Sequence, residues 1–197
     1  MKGYKSKQDL GIRPGKASRM RRISLAAIHV TARPGRPSQG LVRAGSWSVP
    51  VALGRAGIRA NKREGDGATP RGRFRPVRLW WRADRSLRPL TKLPVRRIGR
   101  ADAWCEDPHD RRYNHPFRRS ANEPGDRLWR EDQLYDFVVE IDHNTRPRIG
   151  GRGSAVFVHV TRPGGFAPTA GCIALTPRDM RILLGRLGPK TRILIHS

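Results

Sequence analysis

The chain has 197 residues, enough for one domain with a sizeable core, and 41 Lys and Arg against 16 Asp and Glu give it a formal net charge of +25. A surface so positive favours anionic partners such as nucleic acid, acidic lipid or an acidic wall polymer. Two cysteines imply no disulfide framework, the six His show no metal-ligand spacing and no Cys-x-x-Cys occurs, so a structural zinc site is not expected.

Residues 1–22 hold eight Lys/Arg and one acid, Asp9, and lack periodicity, which predicts a basic, disordered tail followed by a domain over 23–197. The excess is not confined to that tail, because the rest of the chain keeps +18, with Arg scattered among Gly, Pro and apolar segments. The stretch from Ser18 to Ile28 is basic and then apolar, like the start of a secretory signal. Its apolar part spans only about six residues, below the roughly 7–15 of a secretory core, and His29 and Arg33 follow. No apolar run approaches the roughly 20 residues needed to span a bilayer.

From Ile23 the pattern is strand-like. Ser24 to Thr31 and Ser46 to Leu53 are apolar runs bounded by Gly and Pro. A turn-rich stretch from Lys62 to Phe74 leads into a strand over 74–81. Residues 84–130, rich in Arg, Pro and Asp, read as a long irregular insertion whose aromatics Trp104, Tyr113, Phe117 and Trp129 must pack somewhere. Leu134 to Ile141 and Ala155 to Val160 are strands by their apolar, β-branched content. A helix is predicted over 177–187, with Thr176 as N-cap, Pro177 at its first position and Asp179 completing a capping box. Met180, Leu183, Leu184 and Leu187 share its apolar face, and Gly188-Pro189 marks its end. Thr191 to His196 is a closing strand. The fold class is therefore mostly β with one C-terminal helix.

Chemistry concentrates in the last third. His159 ends an apolar strand, and Cys172 follows 13 residues later in Thr169-Ala-Gly-Cys-Ile-Ala174. A thiol near pKa 8.5 needs a neighbouring base or a positive field to act as a nucleophile at neutral pH. Gly171 lets the backbone approach a substrate carbonyl, with main-chain N–H groups turned toward a developing oxyanion. Cys105, beside Glu106 and Asp107, is expected to be a poor thiolate and structural.

Gly65-Asp-Gly-Ala-Thr-Pro-Arg-Gly-Arg-Phe74, then Val158-His159, then Thr169-Ala-Gly-Cys-Ile173 resembles, in that order, the L,D-transpeptidase catalytic domain (the YkuD-like family). The resemblance covers about 23–197, with 84–130 poorly matched. It implies a β-sandwich of mixed sheets and a reaction on peptidoglycan stem peptides through a thioester, with no cofactor. It implies Cys172 as nucleophile, His159 as proton acceptor and donor, and an oxyanion hole from the N–H groups of Gly171, Cys172 and Ala170. The carbonyl of Val160 is expected to orient the imidazole. Two departures stand out: Ala170 where the family usually has a second His, and Ala174 where it has Arg or Asn. His143-Asn144 is a candidate polar replacement in the cleft, or an ordinary turn pair. Transpeptidation, hydrolysis at the same Cys/His pair and non-catalytic polyanion binding remain open. The family's work lies in the periplasm or cell envelope, whereas the N-terminus carries no clear signal peptide, so a cytoplasmic protein also stays open.

Overall fold

Alternation of apolar and polar side chains sets the framework, and the computed structural model, which describes residues 24–196, resolves it into fifteen strands and one helix. The tail predicted over 1–22 lies outside the described residues. The strands run in chain order as β1 (Ala27–Arg33), β2 (Arg36–Ala44), β3 (Trp47–Ala52), β4 (Ile58–Arg59), β5 (Thr69–Pro70), β6 (Gly72–Phe74) and β7 (Pro76–Trp81). Then come β8 (Val95–Arg97), β9 (Asp102–Trp104), β10 (Pro116–Arg118), β11 (Asp126–Arg127), β12 (Phe137–Ile141), β13 (Phe157–Val160) and β14 (Ile173–Leu175). Helix α1 (Pro177–Leu184) and β15 (Arg192–His196) end the order.

Ten strands form one mixed sheet in the order β6-β15-β1-β2-β3-β14-β13-β12-β7-β8. Its two halves meet at a thin seam, where β3 and β14 share one residue pair, Ala52 with Ala174. Both halves turn apolar side chains into the same core: Ile28, Val30, Val42, Val51 and Ile193 from one, Leu79, Val139, Val158, Val160 and Leu175 from the other. That shared core is the sandwich the sequence implied.

The longest strand, β2, was not evident in the sequence, because Pro37, Gly40 and two arginines interrupt its pattern. Its inward positions are the small residues Gly40, Val42 and Ala44. A Cβ on Gly40 would sit 2.4 Å from the Thr31 carbonyl oxygen and 2.8 Å from Leu53 Cδ1, so close strand packing demands glycine there. The apolar residues after the basic segment form the start of β1, with Ile28 in the core.

The Thr176 hydroxyl oxygen accepts the Asp179 N–H at 3.1 Å and its own proton goes to Asp179 Oδ2 at 2.6 Å, which starts α1. The helix ends at Gly185, short of the predicted Leu187. Arg186 and Leu187 continue as a turn bonded to the Leu183 carbonyl, which keeps Leu187 buried without another helical turn.

Segment 84–130 is less irregular than its composition suggests. It carries β8 on the edge of the main sheet and a three-stranded sheet, β10-β9-β11. Its aromatics do pack. Trp104, Ile98 and Leu128 join Trp80, Tyr135, Val138 and Phe157 in a second cluster on the opposite face of β12 and β13. Trp80 and Trp81 therefore serve different cores, as the two-residue period of a strand requires.

Candidate active site

The pairing of β13 with β14 builds the site. These strands run parallel, with Val158 opposite Ile173 and His159 opposite Ala174. Val158, Val160, Ile173 and Leu175 point into the aliphatic core. Alternation sends Phe157, His159, Cys172 and Ala174 to the other face, where the last three line a cavity of about 470 Å³. Cys172 and His159 thus become diagonal neighbours of adjacent strands, although 13 residues separate them in sequence. Cys172 is 8% exposed and His159 5%.

The His159 ring is fixed by its own backbone. Nδ1–H donates to the Val160 carbonyl at 2.8 Å, and the Tyr135 ring meets the imidazole edge-on with centroids 5.4 Å apart. Nε2 is thereby the basic nitrogen. Burial pushes the imidazole pKa down to about 4 despite the Val160 hydrogen bond, so the ring is neutral at pH 7. The Tyr135 hydroxyl donates to Asp126 at 2.7 Å and its pKa is raised, chiefly by burial.

The thiol rests against the backbone of β13. Cys172 S–H donates to the Ala155 carbonyl at 3.2 Å, and Sγ accepts the Phe157 N–H at 3.3 Å. Burial, then the charges of Asp126 and Glu106, pushes the thiol up to about 12, against the Phe157 N–H, which favours the thiolate. The pair is accordingly neutral thiol and neutral imidazole at pH 7. Asn114 holds the Ala155 acceptor in place. Its Oδ1 receives Trp104 Nε1–H at 3.0 Å and the Ala155 N–H at 3.2 Å, and its Nδ2 donates to the carbonyls of His143 and Asn144.

The loop before Cys172 is wound around Thr169. Its hydroxyl donates to the Cys172 carbonyl at 2.7 Å and accepts the Gly171 N–H at 3.1 Å. The Gly171 N–H, expected in the oxyanion hole, is thus already engaged within the turn. Among the described residues the Cys172 N–H has no acceptor. Gly171 has φ +149, and a Cβ on it would lie 2.8 Å from the Ala68 carbonyl oxygen, so both its backbone conformation and its surroundings select glycine. Ala170 is exposed on the cavity wall and Ala174 is buried beside His159, so neither adds a polar side chain there.

His143 and Asn144 do not line the cavity. His143 Nε2 bonds to the Arg152 carbonyl, and the Asn144 amide spans Ile149 and Gly153, so the two side chains organise the 142–153 loop. They are the turn pair, not the cleft replacement. Cys105 is free and buried, with its thiol pushed up by burial first.

The cavity also holds groups that sequence reasoning passed over: Lys62, Glu64, Glu106, Asp126, Arg130 and Ser154. Lys62 is 6% exposed and donates to Asp66 at 2.6 Å. Burial opposes the Asp66 charge, yet Lys62 and the N–H groups of Ala68 and Arg63 outweigh it and hold the carboxyl below its ordinary value. The one sequence signal for this hub is the Asp-Gly pair inside the 65–74 turn.

A β-sandwich with a histidine on one strand and a cysteine at the start of the parallel strand beside it defines the class, and the sequence model of the L,D-transpeptidase catalytic domain (YkuD) matches residues 36–195. The chain belongs to that family. Among solved structures it is similar to Bdellovibrio bacteriovorus Bd1075, with 14% identity, a TM-score of 0.44 and coverage of 88% of this chain and 48% of that one. It is also similar to the helical cell shape determining protein Pgp2 from Campylobacter jejuni, with 13% identity, a TM-score of 0.43 and coverage of 87% and 47%. The chain thus spans about half the length of these structures. Among curated proteins no sequence matches it. Among the described residues no helix is long and apolar enough to cross a membrane.

Proposed function

We propose that the protein is a cysteine acyltransferase that performs L,D-transpeptidation on peptidoglycan stem peptides. One observation carries the reading: Cys172 and His159 share one cavity face, and Nδ1–H donates to the Val160 carbonyl, which leaves Nε2 as a base. His159 Nε2 accepts the thiol proton as Sγ leaves Ala155 and forms a bond to the stem-peptide carbonyl carbon. The tetrahedral oxyanion is met by the Cys172 N–H. The C–N bond then breaks, the imidazolium returns the proton to the leaving amine, and a thioester remains on Cys172. An amine of a second stem attacks that thioester, loses its proton to His159, and releases the thiol. Water in place of the amine gives a carboxypeptidase or endopeptidase from the same pair. On this reading the work is done in the cell envelope, where the substrate is.

The test is mass spectrometry of tetrapeptide muropeptides incubated with the protein beside Cys172→Ala. Cross-linked dimers that require Cys172 support transpeptidation, and tripeptide monomers alone support hydrolysis. Neither product, with Cys172 never acylated, overturns both. Salt-sensitive binding to DNA or wall polymer that survives Cys172→Ala would then favour the non-catalytic polyanion reading.

A further inference from the structure

Lys62 is a buried cation that the acyl-transfer steps leave idle. It is 6% exposed and lines the cavity together with Cys172 and His159. Its stem passes beside the residue that precedes the cysteine: a Cβ on Gly171 would lie 3.6 Å from Lys62 Cε. An ammonium has three donors. Two are engaged at 2.6 Å each, with the Arg63 carbonyl and with Asp66 Oδ1, and among the described residues the third has no partner. Asp66 is itself held by the N–H groups of Arg63 and Ala68, so the ammonium is tethered at a set place in the wall.

Two features give that cation a task. A buried ion pair adds little to the stability of a fold, and apolar side chains of similar volume often serve it as well. An ammonium kept in the wall of this cavity is therefore better explained by charge that develops beside it. The second feature lies in the loop before Cys172. The Gly171 N–H is held by the Thr169 hydroxyl at 3.1 Å, so the loop offers an oxyanion one main-chain donor fewer than its sequence suggests. Ala170 and Ala174 bring no polar side chain to make up the loss. Burial dominates the state of the thiol, but among the charges that act on it Asp126 and Glu106 oppose a negative one and Lys62 favours it.

We propose that the third N–H of Lys62 donates to the oxyanion formed when Cys172 attacks an acyl carbonyl, which makes Lys62 a catalytic residue. The role rests on the acyl-transfer reading of the site, but not on peptidoglycan as the substrate. As the Sγ–C bond forms, the carbonyl π pair moves onto oxygen and the thiol proton passes to His159 Nε2. Lys62 keeps its protons throughout. It supplies a hydrogen bond and a positive charge, both stronger toward the alkoxide than toward the carbonyl it came from. When the alkoxide collapses, the C=O bond re-forms, the bond to the leaving group breaks, and the contact with Lys62 weakens again.

The test compares two reactions of Cys172 that differ in the oxyanion. Acetyl transfer from p-nitrophenyl acetate passes through a tetrahedral alkoxide, whereas alkylation by iodoacetamide does not. Both are followed at pH 8 in the full-length protein, in Lys62→Met, and in Lys62→Gln, which keeps a neutral donor for Asp66. Thermal melts report folding, and Cys172→Ala sets the background. Lys62→Met is expected to lose on the order of 100-fold in acetylation and Lys62→Gln at least about tenfold. Alkylation should fall less than about fivefold in both, through loss of the Lys62 charge from the thiol. Acetylation and alkylation that fall together, in a variant that melts like the unsubstituted protein, would confine Lys62 to the thiol or to its own turn and overturn the proposal. So would an unsubstituted protein that p-nitrophenyl acetate never acetylates at Cys172. Acetylation that depends on Lys62, with no acylation by muropeptides, would sink the peptidoglycan reading and leave the role of Lys62 standing. Muropeptide acylation with no selective loss in Lys62→Met would do the opposite.

Discussion

The two faces of β12 and β13 are held by different chemistry. The inner face packs Val, Leu and Ile against α1 and the far half of the sheet. The outer face packs Trp80, Trp104, Phe157 and Tyr135, and the ring around it is arginine. Arg82 is 2% exposed, lies 3.6 Å over the Trp129 ring, forks onto Asp84 with two 2.8 Å bonds and donates to the Arg130 carbonyl. Arg100 approaches Trp129 as well, and Arg78 and Arg96 both approach Trp80. Arg85 ties Asp136 to Glu131. Guanidinium groups suit this use, being planar, weakly hydrated and able to stack while they hydrogen-bond. A substantial part of the +25 is thus structural cement for the region that walls the cavity, and bulk charge alone is a poor guide to partners.

The strongest way to break the comparison is to remove the aromatic keystone. Trp80 is fully buried, donates to Glu140 at 3.0 Å and meets Trp104 edge-to-face. Trp80→Ala is expected to cost about 3–5 kcal/mol in denaturant unfolding, from cavity formation and the loss of one of the donors to the Glu140 carboxylate, which keeps Arg78. An effect below about 1 kcal/mol would mean the outer cluster is loose and the contrast false.

Next in size is the arginine itself. Arg82→Ala is expected to cost about 2–3 kcal/mol by losing the stack and the Arg130 carbonyl's donor. Arg82→Lys should recover little, because an ammonium neither forks nor stacks in that way. Hydrogen bonding to Arg82 holds the Asp84 carboxyl down to about 2, below its ordinary 3.8. The folded state therefore binds the proton less readily than the unfolded one. This stabilisation is present above about pH 4 and is lost as pH falls toward 2, so the penalty of Arg82→Ala should shrink over the same window. A pH-independent penalty would assign the effect to packing alone.

The thiol separates the regions more gently. Cys172 sits in the outer cluster with its pKa near 12, so iodoacetamide should act about 30–100-fold more slowly at pH 8 than on the unfolded chain. A roughly thousandfold smaller thiolate fraction is partly offset by the greater nucleophilicity of a high-pKa thiolate. The rate should climb with pH beyond 10 with no plateau near 8.5. A plateau there would mean that a preformed ion pair with His159 exists.

Legibility follows the same division. Val158-His159-Val160 and Cys172-Ile173 announce their faces by two-residue alternation, so the cysteine and histidine that share the cavity are readable from local pattern. The cavity wall is not. Glu106, Asp126 and Arg130 reach the site through contacts such as Trp104 to Asn114 and Arg85 to Asp136, 10 and 51 residues apart, which have no periodic signature. The partner of the Gly171 N–H was hidden for a related reason: its acceptor, the Thr169 hydroxyl, becomes visible only once the turn is formed. His143-Asn144 looked polar and available because the loop carbonyls and N–H groups that engage the pair cannot be read from a dipeptide.

The smallest expected effect tests the inner face. Helix α1 begins with a motif that is fully local: Thr176 caps Asp179 and Pro177 occupies the first helical position. Thr176→Ala leaves the apolar face of Met180, Leu183 and Leu184 intact and removes only the cap. The loss should be about 1 kcal/mol in denaturant unfolding, with the acylation rate of Cys172 unchanged within about twofold, since the helix packs on the core side of β13 and β14. Thr176 follows β14 directly, however, and Thr161 N–H is bonded to the Leu175 carbonyl just before it. If the acylation rate falls well beyond the stability loss, the cap also sets the pitch of β14, and the two faces of the sheet are mechanically one unit.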